Sequence, residues 1–309
     1  MIGWLRDDGA DRLAPTLQPY LLLPLVAAFV YAAAALCLKI ALARGTSTGT
    51  VLLSSNLILG AFFAPLLLTG SANWNLGDAP LAVVAGLLFF LGQVGTFRSL
   101  QSGDVSIATP ALAAKVVFVA LLSLLVPGSR PDPDLWLAVL LTAAGMALLH
   151  GGAKHTAARP WATLAWALLA ALSFAAADIL VQTGAPKAGF TLFMPVMFAT
   201  VAAGSLPLLR SRLARRLPSA KADHARGWLT AGAFLIGVQA VCMASAIGLF
   251  GDATAANVVY GSRGLWSLLL LALFAKTLGI NDAVFERRTL VSRVAGSVLI
   301  LVAVSLVLF

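Results

Sequence analysis

Two basic residues lie deep inside apolar segments, at matching places in the chain. Lys115 follows GDVSIATPALAA and Arg263 follows GDATAANVVYGS, at the same distance from each Gly-Asp pair. A cation at the centre of a membrane span costs at least about 2.5–3.5 kcal/mol, so such residues usually face a cavity or a partner. Two cations that converge in a low dielectric favour an anionic group between them. We therefore predict that at least one of the two candidate residues, Lys115 and Arg263, contacts the solute, the alternatives being an ion pair with Asp178 or bonds to backbone carbonyls.

Asp178 is the one acidic residue well inside an apolar segment. Burial raises the pKa of a carboxyl group and nearby cations lower it, so this position suits a residue that couples transport to protons. The alternative is a fixed counter-ion of Arg263 or of Lys39. The sequence leaves both interpretations open.

Other polar side chains could line the same cavity. Tyr260 and Ser267 share a helix face with Arg263 because they are three and four residues away from it, and Asn257 lies roughly on that side. The predicted solute contacts beyond the two cations are Tyr260, Asn257, Gln93 and Gln239, with Asn56 as a further lining residue. Each of them could instead make a hydrogen bond between helices. Asp104 and Asp252 begin their segments and are predicted to be helix N-caps.

No pattern typical of an enzyme or of a metal site occurs. HExxH, GxSxG, a Walker loop and a Cys/His ligand spacing are absent, and the three histidines lie at or outside the predicted helix ends. Cys37 and Cys242 are predicted to be small packing residues. We expect no catalytic residues, no metal and no cofactor.

Composition places these residues in a membrane. Sixty per cent of the 309 residues are apolar, 11% are charged and the mean hydropathy is +0.95, whereas soluble domains carry about a quarter charged residues. Many apolar runs reach about 20 residues, enough to cross a bilayer. We predict an all-α membrane protein with a tail at 1–17, no cleaved signal peptide, and ten spans at 18–43, 48–69, 78–100, 105–127, 133–151, 160–183, 190–209, 227–250, 254–276 and 289–309.

The net charge of +9 is a topology signal. Most cations fall on the connections after spans 1, 3, 5, 7 and 9, namely Arg44, Arg98, Lys154, Arg159, the cluster Arg210, Arg212, Arg215, Arg216, Lys221 and Arg226, and Arg287 and Arg288. The positive-inside rule then places those connections in the cytoplasm and both termini outside. The Arg-rich cluster could alternatively lie along anionic lipid. No pattern indicates nucleic acid as a partner; the expected partners are a small solute and the lipid bilayer, and the expected location is a bacterial inner membrane.

The chain repeats itself. In the two segments above, Gly-Asp matches Gly-Asp, Lys115 matches Arg263 and Phe118 matches Trp266, while VYAAAALCLKIALARG corresponds more loosely to SFAAADILVQTGAPKAG. We predict two similar five-helix halves, 18–151 and 160–309. Because five is odd, the second half enters the membrane from the opposite side. Inverted repeats with a site at their interface are a recurring architecture of secondary transporters.

This pattern resembles the EamA-type branch of the drug/metabolite transporter superfamily. The resemblance implies that spans 4 and 9 line a central cavity, and that Lys115 and Arg263 occupy places similar to the phosphate-holding cations of the triose-phosphate translocators. Those relatives have a Lys-Arg pair where this chain has Ser262 before Arg263. Small multidrug-resistance proteins carry a glutamate in their first helix, and the first span here has none.

The sequence therefore predicts a monomeric, alternating-access transporter of a small organic metabolite with an anionic or carboxylate group, such as an amino acid or an organic anion. The resemblance implies export or exchange. The rival hypotheses are a membrane-embedded enzyme and a non-transporting membrane scaffold.

Overall fold

A computed structural model describes residues 18–70, 74–102, 105–129, 131–150, 160–209, 222–274 and 287–309. Within these ranges every regular element is helical. Twelve α-helices follow one another: α1 Leu22–Ala43, α2 Thr48–Phe63, α3 Ala79–Ser102, α4 Val105–Ala113, α5 Lys115–Ser123, α6 Pro133–His150, α7 Pro160–Ala188, α8 Phe190–Ser205, α9 Ala222–Phe250, α10 Ala253–Tyr260, α11 Arg263–Phe274 and α12 Arg287–Leu308.

Eight helical stretches in the described ranges are long and apolar enough to cross a membrane. They fall at predicted spans 1, 2, 3, 6, 7, 8, 9 and 10: Pro19–Ala43, Thr48–Leu68, Leu76–Gln101, Pro160–Ala188, Phe190–Leu208, Ala225–Phe250, Ala253–Phe274 and Val291–Leu308. Shorter apolar helices, Pro110–Ser123 and Pro133–Leu149, lie where spans 4 and 5 were predicted. The chain is an integral, multi-pass membrane protein, and the count of ten spans stays a prediction.

Small residues allow the helices to approach closely. A Cβ atom built on Gly145 of α6 would lie 2.8 Å from the carbonyl oxygen of Gly296 in α12. The reverse substitution would bring a Cβ 2.6 Å from the carbonyl oxygen of Gly145. The two backbones are therefore in direct contact, as small residues permit between membrane helices.

Helix ends follow local sequence rules. α1 is followed by Gly45 and α7 by Gly189, with φ of 96° and 89°, a left-handed conformation that glycine adopts without steric cost. Asp252 caps α10, because its Oδ1 accepts a hydrogen bond from the Ala255 amide at 2.9 Å. That N-cap prediction is confirmed. Its counterpart Asp104 lies outside the described residues.

Two helices are interrupted in their middle. α4 gives way to α5 at Ala114, and α10 gives way to α11 at Gly261 and Ser262. Pro110 precedes the first break by one turn and Gly261 forms part of the second; both residue types weaken a helix. The chain tightens at each break rather than unwinding, since Ala114 N bonds to Ala111 O at 3.2 Å and Ser262 N to Val259 O at 3.1 Å. Such short tightened turns inside a helix often mark hinges.

Part of the topology signal lies outside the described residues. This holds for the tail at 1–17, for Lys154 and Arg159, and for the cluster from Arg210 to Lys221. Lys39 and Arg98 are both exposed.

Candidate functional site

Lys115 and Asp178 form an ion pair in the middle of the bundle. Lys115 is the first residue of α5, and its Nζ lies 2.8 Å from Oδ2 of Asp178 in α7. The two side chains are 17% and 13% exposed. The anion that faces Lys115 therefore belongs to the protein itself, one of the alternatives that the sequence left open.

Asn257 of α10 joins this pair. Its Nδ2 donates to Asp178 Oδ2 at 2.7 Å and to the backbone oxygen of Ala253 at 2.9 Å. Asp178 thus receives a cation from one broken helix and an amide from the other. This carboxylate ties α5, α7 and α10 together, which is the geometry of a fixed counter-ion.

Arg263 has a different environment. It is the first residue of α11, and its guanidinium carbon lies 4.5 Å from the ring centroid of Tyr260 and 5.4 Å from that of Tyr31 in α1. The rings themselves are 5.9 Å apart at 73°. Within the described residues no carboxylate lies within ion-pairing distance of Arg263. Aromatic faces stabilise a cation by about 0.5–2 kcal/mol without neutralising it, so Arg263 keeps its charge available.

The aromatic partners follow the repeat. Phe174 of α7 lies with its ring 5.9 Å from Lys115 Nζ, and it occupies the position that Tyr31 occupies in the other half. Each central cation thus stands over a ring supplied by the opposite half. Sequence reasoning missed both rings, although the signal was present as a matched aromatic before a run of alanines.

The two clusters adjoin each other through Tyr260. This side chain is 6% exposed, lies one turn after Asn257 on α10, and its ring centroid is 4.5 Å from the guanidinium carbon of Arg263. The structure therefore brings together five of the predicted residues, which are Lys115, Asp178, Asn257, Tyr260 and Arg263.

The two predicted glutamines behave differently. Gln93 and Asn56 exchange hydrogen bonds of 2.8 Å through both amide groups, and Asn56 Nδ2 also donates to Ser205 Oγ at 2.7 Å. This network joins α2, α3 and α8, so the amide of Gln93 is engaged between helices. Gln239 is half-buried in α9 and makes no hydrogen bond with other described residues.

A cavity of about 670 Å³ opens beside the cluster. Its wall is formed by the segment after α5, the C-terminal part of α7 and the start of α10, including Gln182, Lys187, Asp252 and Thr254. Gln182 lies one turn beyond Asp178 and accepts a hydrogen bond from Ala253 N at 3.1 Å. Four residues of helix span about 6 Å, so the cavity ends about one turn from the ion pair. None of the five residues of the cluster lines this cavity.

The chain is similar to several known proteins. The model of the EamA-like transporter family matches residues 18–150. An "Uncharacterized transporter" of Archaeoglobus fulgidus is 32% identical over 97 residues, which is 31% of this chain and 34% of that relative, so the match spans about a third of each. A crystal structure with 18% sequence identity covers 93% of this chain and 96% of its own at a TM-score of 0.71. That last likeness shows the fold alone.

The family expected from the repeat and from the Gly-Asp segments is the one whose model matches the first half of the chain. The predicted similarity to EamA-type transporters is therefore confirmed for residues 18–150, the part of the chain that the family model matches.

Proposed function

We propose that this protein is a secondary active transporter that moves a small organic metabolite by alternating access. The metabolite carries an anionic or carboxylate group, as in an amino acid or an organic anion, and is exported or exchanged. The observation that carries the proposal is Arg263, a cation near the bundle centre that has no carboxylate partner among the described residues. A charge in that place is costly unless a ligand or partner balances it.

The helix breaks favour the same proposal. Lys115 and Arg263 are each the first residue of the helix after a break. At the second break the amides of Gly264, Leu265 and Trp266 already bond to the carbonyl oxygens of Gly261 and Ser262. The positive potential there therefore comes from the guanidinium of Arg263, and a central cation of this kind attracts an anion. For Lys115 that anion is Asp178, and for Arg263 we assign that role to the substrate.

Helix packing supports ten spans in two inverted halves, 18–151 and 160–309. α3 packs on α7 as α9 packs on α1, and α5 packs on α7 as α11 packs on α1. The pairs α2–α8 and α6–α12 each join corresponding helices of the two halves. A pseudo-two-fold relation of this kind lets one half rock against the other around a central site. We further propose a monomer in a bacterial inner membrane.

Flux into proteoliposomes tests the proposal. Purified protein is reconstituted and offered labelled carboxylates and amino acids, for wild type, Arg263→Ala, Lys115→Ala and Lys39→Ala. Lys39 is exposed on α1, so its substitution controls for a general loss of positive charge. We expect uptake by wild type and Lys39→Ala and its loss in Arg263→Ala and Lys115→Ala. Unchanged flux in both central variants would remove the proposed site.

The same vesicles distinguish the rival hypotheses. A membrane-embedded enzyme would convert a probe to a new compound without accumulating it in the lumen. A scaffold would do neither. Chromatography of the lumenal contents, compared with protein-free vesicles, separates transport from chemical conversion.

A further inference from the structure

The two halves supply two central cations but one central acid. In the repeat, Lys115 corresponds to Arg263, and Phe174 corresponds to Tyr31. Asp178 lies one turn after Phe174, and the matching position one turn after Tyr31 is Ala35. The alanine leaves the second cation without the counter-ion that the first one has.

The charges of the cluster therefore do not cancel. Lys115 and Asp178 neutralise each other across 2.8 Å. Asn257, Tyr31 and Tyr260 contribute neutral amide and hydroxyl groups around them. The charge of Arg263 is not neutralised, so the described part of the cluster carries one net positive charge.

Charged groups nearby lie outside this cluster. Asp252 and Lys187 belong to the wall of the cavity, at least one helical turn from the ion pair. Both oxygens of Asp252 are engaged: one caps α10, and the other accepts a hydrogen bond from the Tyr20 hydroxyl at 3.1 Å. These two residues therefore affect how a solute approaches the site rather than which charge the bound solute must carry.

We infer that the substrate bears a single negative charge, that its carboxylate binds Arg263, and that Asp178 sets this valence. The inference rests on the proposed function and narrows it to one substrate class. A monoanion makes the loaded site neutral, whereas a dianion or a neutral solute leaves one unbalanced charge. An unbalanced charge in a low dielectric is costly to bury, so the site favours monoanions when the bundle closes around it.

The chemistry of Arg263 suits a carboxylate. A guanidinium group presents a planar fork of donors that matches the two carboxylate oxygens, and it can stack on aromatic rings at the same time. The faces of Tyr31 and Tyr260 hold the fork in place. Asp178 is then a specificity-determining residue that acts through Lys115. By pairing with Lys115, it keeps that cation from competing with Arg263 for the substrate.

A charge-swap series tests this inference. The probes are labelled alanine, lactate, aspartate and malate, whose net charges at neutral pH are zero, −1, −1 and −2. Uptake into proteoliposomes is measured for wild type, for Asp178→Asn, and for the double variant Lys115→Met with Asp178→Asn. Asp178→Asn raises the site to two net positive charges, and the double variant returns it to one.

We expect wild type to favour lactate or aspartate over malate and alanine. In Asp178→Asn the uptake ratio of malate to lactate rises about tenfold or more, which corresponds to about 1.4 kcal/mol. The double variant restores the wild-type order. That restoration is a result that a purely structural role of Asp178 does not produce, and thermal unfolding of each variant in detergent controls for misfolding.

Each other outcome counts against the inference. A wild type that prefers malate, or a folded Asp178→Asn protein with an unchanged ratio, overturns the assigned valence while the proposed transport stands. A wild type that moves none of the four probes overturns both the carboxylate transport proposed above and the inference that depends on it.

Discussion

The environments of Lys115 and Arg263 differ although the two residues occupy equivalent places. Both begin a helix after a break, and both lie over a ring from the opposite half. Lys115 is held by Asp178 at 2.8 Å, whereas Arg263 is held by two tyrosine rings. The two positions therefore have similar geometry but different electrostatic environments. Lys115 is paired with an anion of the protein itself, whereas we propose that Arg263 binds an anion from outside.

The largest expected difference is in how much the protein loses in stability when the environment of each cation is altered. Asp178→Ala leaves Lys115 buried without a counter-ion, which typically costs about 3–5 kcal/mol. Arg263→Ala gives up cation–aromatic contacts worth about 0.5–2 kcal/mol. Unfolding in mixed micelles with rising SDS, followed by the fluorescence of the seven tryptophans, measures both. Equal losses of stability would contradict the contrast between the two cations.

A single substitution should make the halves alike. Ala35→Asp places a carboxylate on α1 one turn after Tyr31, as Asp178 stands one turn after Phe174. It should pair with Arg263 and compete with the substrate, with a loss of affinity of about thirtyfold, or about 2 kcal/mol. The apparent KM of uptake measures it. Ala35→Asn is the matched control, because it adds the same volume without the charge and should leave most of the affinity.

The two helix breaks should also differ in how strongly an added methyl group destabilises the protein. Gly261 corresponds to Ala113 in the first half, yet a Cβ atom on Gly261 would lie 2.4 Å from Thr142 Cγ2 and 2.9 Å from Val258 O. Gly261→Ala should therefore destabilise the protein by about 1–3 kcal/mol. Gly227→Ala on α9 is the control, because no atom lies within 4 Å of its Cβ position. The midpoints of thermal unfolding in detergent should fall for Gly261→Ala alone.

The smallest effect should come from the aromatic rings. Tyr31→Leu removes one of the two faces over Arg263 and should raise the KM about two- to fivefold, since a cation–aromatic contact is worth about 0.5–1 kcal/mol at such a site. Tyr31→Phe keeps the face and should change the KM little. Phe174→Leu is the counterpart in the other half, and it should leave the KM unchanged because Lys115 is already paired. A rise in the KM for Phe174→Leu would place the substrate at Lys115 as well.

The sequence predicted the positions of the helices well, for a simple physical reason. A membrane span needs about 20 apolar residues in a row, so hydropathy alone locates Thr48–Leu68 and Phe190–Leu208 within a few residues of their predicted bounds. The N-cap at Asp252 was equally local, because a capping side chain bonds to an amide three residues away. Such features depend on neighbours in the chain.

The sequence was less able to predict which charged residues pair with each other. The sequence showed that Lys115, Asp178 and Arg263 were unusual, yet it offered Arg263 and Lys39 as further partners for Asp178. The pair that forms joins residues 63 positions apart on helices of opposite halves. The role of Gln93 was undecided for the same reason, since its hydrogen-bonding partner Asn56 lies on another helix.

The sequence by itself thus determined that this chain lies in a membrane, that two of its segments resemble each other, and which buried charges need an explanation. Composition, hydropathy and a repeat are properties of residue order, so no contacts are needed to read them. The tertiary structure alone decided which cation is neutralised and which remains. That choice rests on a few ångströms between side chains of different helices, and it is the packing of α1, α5, α7, α10 and α11 that fixes those distances.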